Sequence, residues 1–87
     1  MKVIKRDGRM QDFDKNKIKV SIMRASDDAK EPFNTSDIEN VTGSVTKALG
    51  DRVEIKVIEI HEIILKTLKD FGFNKTAELF DKVSNLT

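Results

Sequence analysis

Apolar residues recur along this chain of 87 residues at two different spacings. Near the start, Val3 to Lys5 and Arg9 to Phe13 flank Asp7-Gly8, which predicts a β-hairpin with the Asp-Gly pair supplying the positive φ of a tight primed turn. From Asp14 the period becomes helical. Ile18, Ile22, Ala25 and Ala29 share one face, Asp14 is placed to cap it, and Pro32 marks a point beyond its end. A second helix is expected from Ser36, which has capping-box spacing to Glu39, with Ile38, Val41, Val45, Ala48 and Leu49 inward and Gly50 as its stop. Val53 to Ile55 alternates briefly and reads either as a third strand or as a lead into the next helix. Val57 to Phe71 is the most apolar segment, with a stripe of Ile60, Ile64, Leu68 and Phe71 widened by Ile58, Ile63 and Leu65. Gly72 suits a left-handed cap, Asn74 can start a last helix, and Ala77, Phe80 and Val83 give that helix an inward face. The sum is a single domain over residues 1–87 of the α+β class, α-rich, with a small β-hairpin or three-stranded cap on a four-helix body. Phe13 is expected to anchor the hairpin to that body.

Composition removes several chemistries. The absence of cysteine excludes disulfides, thiolate zinc sites and cysteine-ligated iron–sulfur clusters within the chain. His61 is the single histidine, so neither a multi-histidine metal site nor a histidine dyad can be built, and no metal site is expected. A packed structural histidine and a ligand-contacting one both remain open readings. No Gly-x-Ser-x-Gly turn exposes a nucleophile, and no Gly-x-x-x-x-Gly-Lys or Gly-x-Gly-x-x-Gly loop cradles phosphate. A hydrolase reading therefore has no support. The longest apolar run, Ile63 to Leu65, is far too short to span a bilayer, and a soluble cytoplasmic protein is expected.

Charge becomes informative once it is divided by region. Residues 1 to 24 carry eight basic and three acidic side chains, whereas residues 25 to 87 carry eight basic and twelve acidic ones. Lys15 and Lys17 fall in the first turn of the first predicted helix, where a cation opposes the helix dipole unless an anion sits nearby. Lys5 and Arg6 leave the first strand close to that turn. Three cations, Lys5, Arg6 and Lys17, could thus converge on a polyphosphate, although lysines on an exposed hairpin also guard against edge-to-edge aggregation.

The run Val3-Ile4-Lys5-Arg6-Asp7-Gly8-Arg9, with Phe13-Asp14-Lys15 and Lys17-Ile18 after it, resembles the opening of the ATP-cone, the nucleotide-sensing domain at the N-terminus of many ribonucleotide reductases. Ile60-His61-Glu62-Ile63-Ile64 is similar to that family's third-helix signature, and Thr76-Ala77-Glu78-Leu79-Phe80 to its last helix. The resemblance implies a regulatory domain that binds ATP or dATP, with Mg2+, between a β cap and helices. It implies a reductase catalytic domain or subunit as partner, with ATP permissive and dATP inhibitory through a change in assembly or self-association. By position, the resemblance implies that Val3 and Lys5 line the adenine side, Arg6 and Lys17 hold phosphates, Gln11 and Asp14 match further contact positions, the latter near base or ribose, and His61 approaches the phosphates. Val57 stands where the family often has threonine, and Val83 and Ser84 stand where it has an aromatic and arginine, with Lys82 as a substitute.

Reductase chemistry needs cysteines that this chain lacks, so the resemblance implies either an excised regulatory domain or a free-standing sensor acting on another chain, and in neither case the enzyme itself. A related repressor of reductase genes carries a cysteine-rich zinc ribbon ahead of the cone, and Met1 directly before the hairpin argues against that context. The alternative class is a small interaction module whose basic hairpin docks nucleic acid or an acidic protein surface. Without tryptophan or tyrosine for base stacking, nucleic acid is the disfavoured partner.

Overall fold

The computed structural model of the chain describes residues 1–82, so the roles expected of Val83 and Ser84 lie outside the described residues. The elements are β1 (Lys2–Ile4), β2 (Met10–Asp12), α1 (Lys15–Ala29), α2 (Thr35–Leu49), β3 (Glu54–Lys56), α3 (Val57–Asp70) and α4 (Asn74–Lys82). The third strand exists, and the domain is α+β with a small three-stranded sheet on four helices.

Strand β1 lies in the middle of the sheet, antiparallel to β2 and parallel to β3. A parallel pair needs a long crossover, which α1 and α2 provide. Val3 sits opposite Gln11 on one side and Ile55 on the other, and Val3 and Ile55 are both buried. The hairpin turn differs from the sequence expectation. Lys5 N–H donates to the Arg9 carbonyl and Gly8 N–H donates to the Lys5 carbonyl, which closes a three-residue loop rather than a two-residue primed turn. Gly8 alone takes the positive φ, at 88°, while Asp7 stays outside that region and bonds the Arg9 backbone and guanidinium instead.

The four helices close a ring in which α1 packs on α2 and α4, and α3 packs on α2 and α4. Their inward stripes meet in one core: Ile18, Ile22 and Ala25 from α1, Val41, Val45 and Leu49 from α2, Ile60, Ile64 and Leu68 from α3, and Ala77 and Phe80 from α4. Phe13 packs against this core from the end of the hairpin, as expected of an anchor.

Several boundaries move. Helix α2 starts one residue earlier than Ser36, because Asn34 and Asp37 form the capping box: the Asn34 side chain accepts from Asp37 N–H at 2.7 Å and the Asp37 carboxylate accepts from Asn34 N–H at 3.0 Å. Phe33 before the cap and Ile38 after it both pack on the core, the arrangement that fixes where the chain enters a helix. Ala48 is exposed, since the face it shares turns away from α3. Ile58 and Phe71 are exposed by 44% and 43%, although the sequence places them on or beside the stripe of Ile60, Ile64 and Leu68, which is buried. Helix α4 starts at Asn74, as expected, and the Glu31 carboxylate, arriving from the loop after α1, bonds Thr76 in its first turn. Gly72 does take a left-handed φ of 84°, and Phe73 N–H returns to the Leu68 carbonyl to close α3.

Candidate functional site

Side chains alternate along a strand, so Val3 and Lys5 point to the same face of β1, and Gln11, paired with Val3, joins them. Helix α1 follows β2 after two residues. Asp14 caps it by accepting from Asn16 N–H at 2.9 Å, which sets Lys17 one turn on beside the strand ends. Helix α3 follows β3 with no intervening loop, bringing Val57 and Ile60 beneath the sheet. These residues, with Asp12, Phe13 and Ile18, line one cleft of about 420 Å³ up to its open mouth. Six of the residues singled out from the sequence therefore come together: Val3, Lys5, Gln11, Asp14, Lys17 and Val57.

The floor of the cleft is apolar, formed by the buried side chains of Val3, Ile18, Val57 and Ile60. Its carboxylates are engaged elsewhere. Lys2 bonds Asp12 across the strands and holds the Asp12 carboxyl below the usual aspartate range, while Asp14 is committed to its cap. Among the described residues, Lys5 and Lys17 make no ion pair. The cleft thus joins an apolar floor to two cations that make no ion pair among the described residues, an arrangement suited to a flat apolar group carrying anionic charge.

Arg6 and His61 lie outside this cleft. Arg6 follows Lys5 into the hairpin turn and does not line the cleft, so of the three cations expected to converge only Lys5 and Lys17 border it. Arg6 instead borders a second cavity with His61, Glu62, Asp81 and Lys82. His61 is 7% exposed, stacks on Phe80 with ring centroids 5.0 Å apart, and has its Nε2 2.8 Å from Asp81 Oδ1. Between the two cavities lies a third depression. It shares Lys5 and Val57 with the cleft and Arg6 and Ile58 with the His61 cavity, so the three form one track past the start of α3. Lys56 precedes α3 there without giving it a side-chain cap.

Ile18, Ile60 and Asp81 are contributors that were not singled out in the sequence as site residues. Ile18 and Ile60 were legible as core, and their periodicity carries no sign that they also floor a cleft. Asp81 lies 20 residues from His61 on another helix, and no local pattern connects the two. Among the described residues, no helix is long and apolar enough to cross a membrane, and no group of three or more His, Asp or Glu side chains gathers in the manner of a metal site.

Residues 1–83 match the family described as the ATP cone domain, so the match covers nearly the whole chain. The transcriptional repressor NrdR of Syntrophus aciditrophicus (strain SB) is 39% identical over 70 residues, which are 78% of this chain and 43% of the repressor. The chain accordingly spans less than half the length of that relative. Its similarity to a named transcriptional repressor weakens the two expectations that set a repressor context and nucleic acid aside.

Proposed function

This chain belongs to the ATP-cone family of nucleotide-binding regulatory domains, and we propose that it senses ATP and dATP and thereby sets the activity of a ribonucleotide reductase. The observation that carries this reading is the single cleft shared by Val3, Lys5, Gln11, Asp14, Lys17 and Val57. Adenine lies on the apolar floor between Val3 and Val57, and burying its faces supplies affinity without discrimination. Gln11 and Asp14 offer the polar partners near base and ribose. ATP and dATP differ by one 2′-hydroxyl, so discrimination depends on how well such a group is paired when the hydroxyl is present and how badly it is left when it is missing. Lys5 and Lys17 meet the first phosphates. The track past the start of α3 leads the rest toward Arg6 and His61, with Mg2+ travelling on the triphosphate and lowering its charge.

Regulation follows from where the ligand stands. It touches the hairpin, the first turn of α1 and the first turn of α3 together, so occupancy fixes the sheet against the helices, and a surface made of those elements differs between free and bound states. A partner that reads this surface is the reductase catalytic domain or subunit, or a second copy of the domain.

A second reading is favoured by the likeness to NrdR: the same nucleotide sensor with control of transcription as its output. The two share the binding step and differ in the partner. Methyl signals of Val3, Val57 and Ile60 followed by NMR during titration with ATP test the common step, and movement of all three, with signals of the far end of α2 unmoved, is the expected result. Addition of the chain to reductase, with ATP and then dATP, tests the first output. Nucleotide-dependent DNA binding by the complete gene product would favour the second.

A further inference from the structure

His61 has one outward hydrogen-bonding atom and it is already taken. Its Nδ1 is buried and has no partner, its ring is held against Phe80, and its Nε2 meets Asp81 Oδ1 at 2.8 Å. A carboxylate has only acceptors, so Nε2 carries the hydrogen and donates it. A phosphate oxygen is likewise only an acceptor, so it must compete for the same N–H. Two cations and two carboxylates face the cavity, so loss of one carboxylate tips it toward an anion. Arg6 reaches the cavity from the hairpin loop and Lys82 from α4, and among the described residues neither makes an ion pair, while Glu62 on α3 and Asp81 on α4 are the acidic groups that face it. The Asp81 side chain is 63% exposed, so it is free to swing away, whereas His61 is not.

We propose that Asp81 is an internal competitor of the ligand's phosphates, a carboxylate that occupies His61 Nε2 in the free domain and gives it up when a terminal phosphate arrives. This rests on the nucleotide reading for the identity of the ligand, but the competition itself concerns any polyphosphate. It makes Asp81 a determinant of affinity and couples the end of α4 to occupancy, because the released carboxylate no longer ties α4 to α3 at that point.

The test uses inorganic tripolyphosphate and ATP as separate probes. Asp81→Asn keeps an oxygen that accepts from Nε2 but removes the competing charge, and it is expected to bind both probes roughly tenfold more tightly than the unaltered chain. Glu78→Gln, one turn earlier on the same helix and exposed, removes the same charge without touching His61 and is expected to leave affinity within about twofold. The gain from Asp81→Asn should vanish in a His61→Gln background, which shows that it acts through the ring. His61 is the sole histidine, so its ring signals are unambiguous, and they should shift as tripolyphosphate saturates. Equal affinities for Asp81→Asn and the unaltered chain, or ring signals unmoved at saturation, overturn the proposal. If ATP binds under those conditions, the nucleotide reading survives alone. If tripolyphosphate gives the expected contrast and ATP binds no better than tripolyphosphate, the competition stands and the adenine site falls.

Discussion

Glu31 and Thr76 are 45 residues apart and meet at the start of α4, where Glu31 Oε1 accepts from the Thr76 backbone N–H at 3.0 Å and from its hydroxyl at 2.7 Å. A helix begins with unpaired N–H groups and a partial positive charge, and here the compensating carboxylate comes from the loop after α1 rather than from a neighbouring residue. The contact therefore does two things. It caps α4 and it fastens the end of α1 to it. Glu31→Ala is expected to lower stability by about 1–2 kcal/mol, and Glu31→Gln, which keeps the acceptor and loses the charge, by less. Urea denaturation of the three chains would show this order, and an alanine variant as stable as the parent would remove the cap from the account.

Phe80 joins the core to the His61 cavity. Its side chain is 1% exposed, belongs to the shared core and stacks on the histidine ring. Truncation to alanine leaves a cavity among four helices that pack on one another, and a loss of about 3–5 kcal/mol is expected. Domains of this size hold about 5–15 kcal/mol in total, so Phe80→Ala should be marginally folded and Phe80→Leu clearly folded. Circular dichroism melting curves distinguish the two.

The hairpin should respond to acid. The Lys2 ammonium beside Asp12 holds that carboxyl below the ordinary 3.8, chiefly through their hydrogen bond, and the Arg9 backbone N–H does the same for Asp7 in the turn. A carboxyl depressed in the folded state contributes stability that is present above its unfolded value and lost as pH falls through the lower folded one. Both groups are exposed, so the effect is small and local. Amide signals of Lys2, Asp12 and Arg9 are expected to move as pH falls below the ordinary aspartate value of 3.8, and in Asp12→Asn the Lys2 signal should no longer follow that titration.

Periodicity made the helical body legible, because Ile18, Ile22, Ala25 and Ala29, or Val41, Val45, Ala48 and Leu49, recur at the combined three- and four-residue spacing of a helix face. It could not say which flank of a wide stripe would be covered, and Ile58 and Phe71 fell on the uncovered side. Both Asn34 with Asp37 and Ser36 with Glu39 have capping spacing. The earlier pair prevails where Phe33, whose ring lies 4.0 Å from that of Phe73, anchors the chain just before the helix. The cleft was legible as cations at the start of α1 and the end of β1, since strand alternation and helix capping are local rules. Arg6 and His61 are expected beside the same ligand, and the structure sets them around the corner in a neighbouring cavity, with Arg6 placed by the hairpin turn, where strand alternation no longer applies. The pairing of His61 with Asp81 depends on how α3 and α4 slide against each other. No spacing within either helix encodes that.

Lys5 and Lys17 approach the cleft from different elements, so each should matter alone. Lys5→Ala and Lys17→Ala are each expected to weaken adenine-nucleotide binding by roughly ten- to a hundredfold while shifting the melting temperature little, because neither side chain is part of the core. Val57→Thr places a hydroxyl at the edge of the same cleft, and it should change affinity for ATP and dATP unequally if ribose or phosphate passes there.

Calorimetric titration of the unaltered chain with ATP and dATP, beside Lys5→Ala and Lys17→Ala, is the most direct measurement. Saturable heat for both nucleotides, greatly reduced in either variant, is the result the account predicts. No heat at millimolar nucleotide, or binding undiminished in both variants, would contradict it.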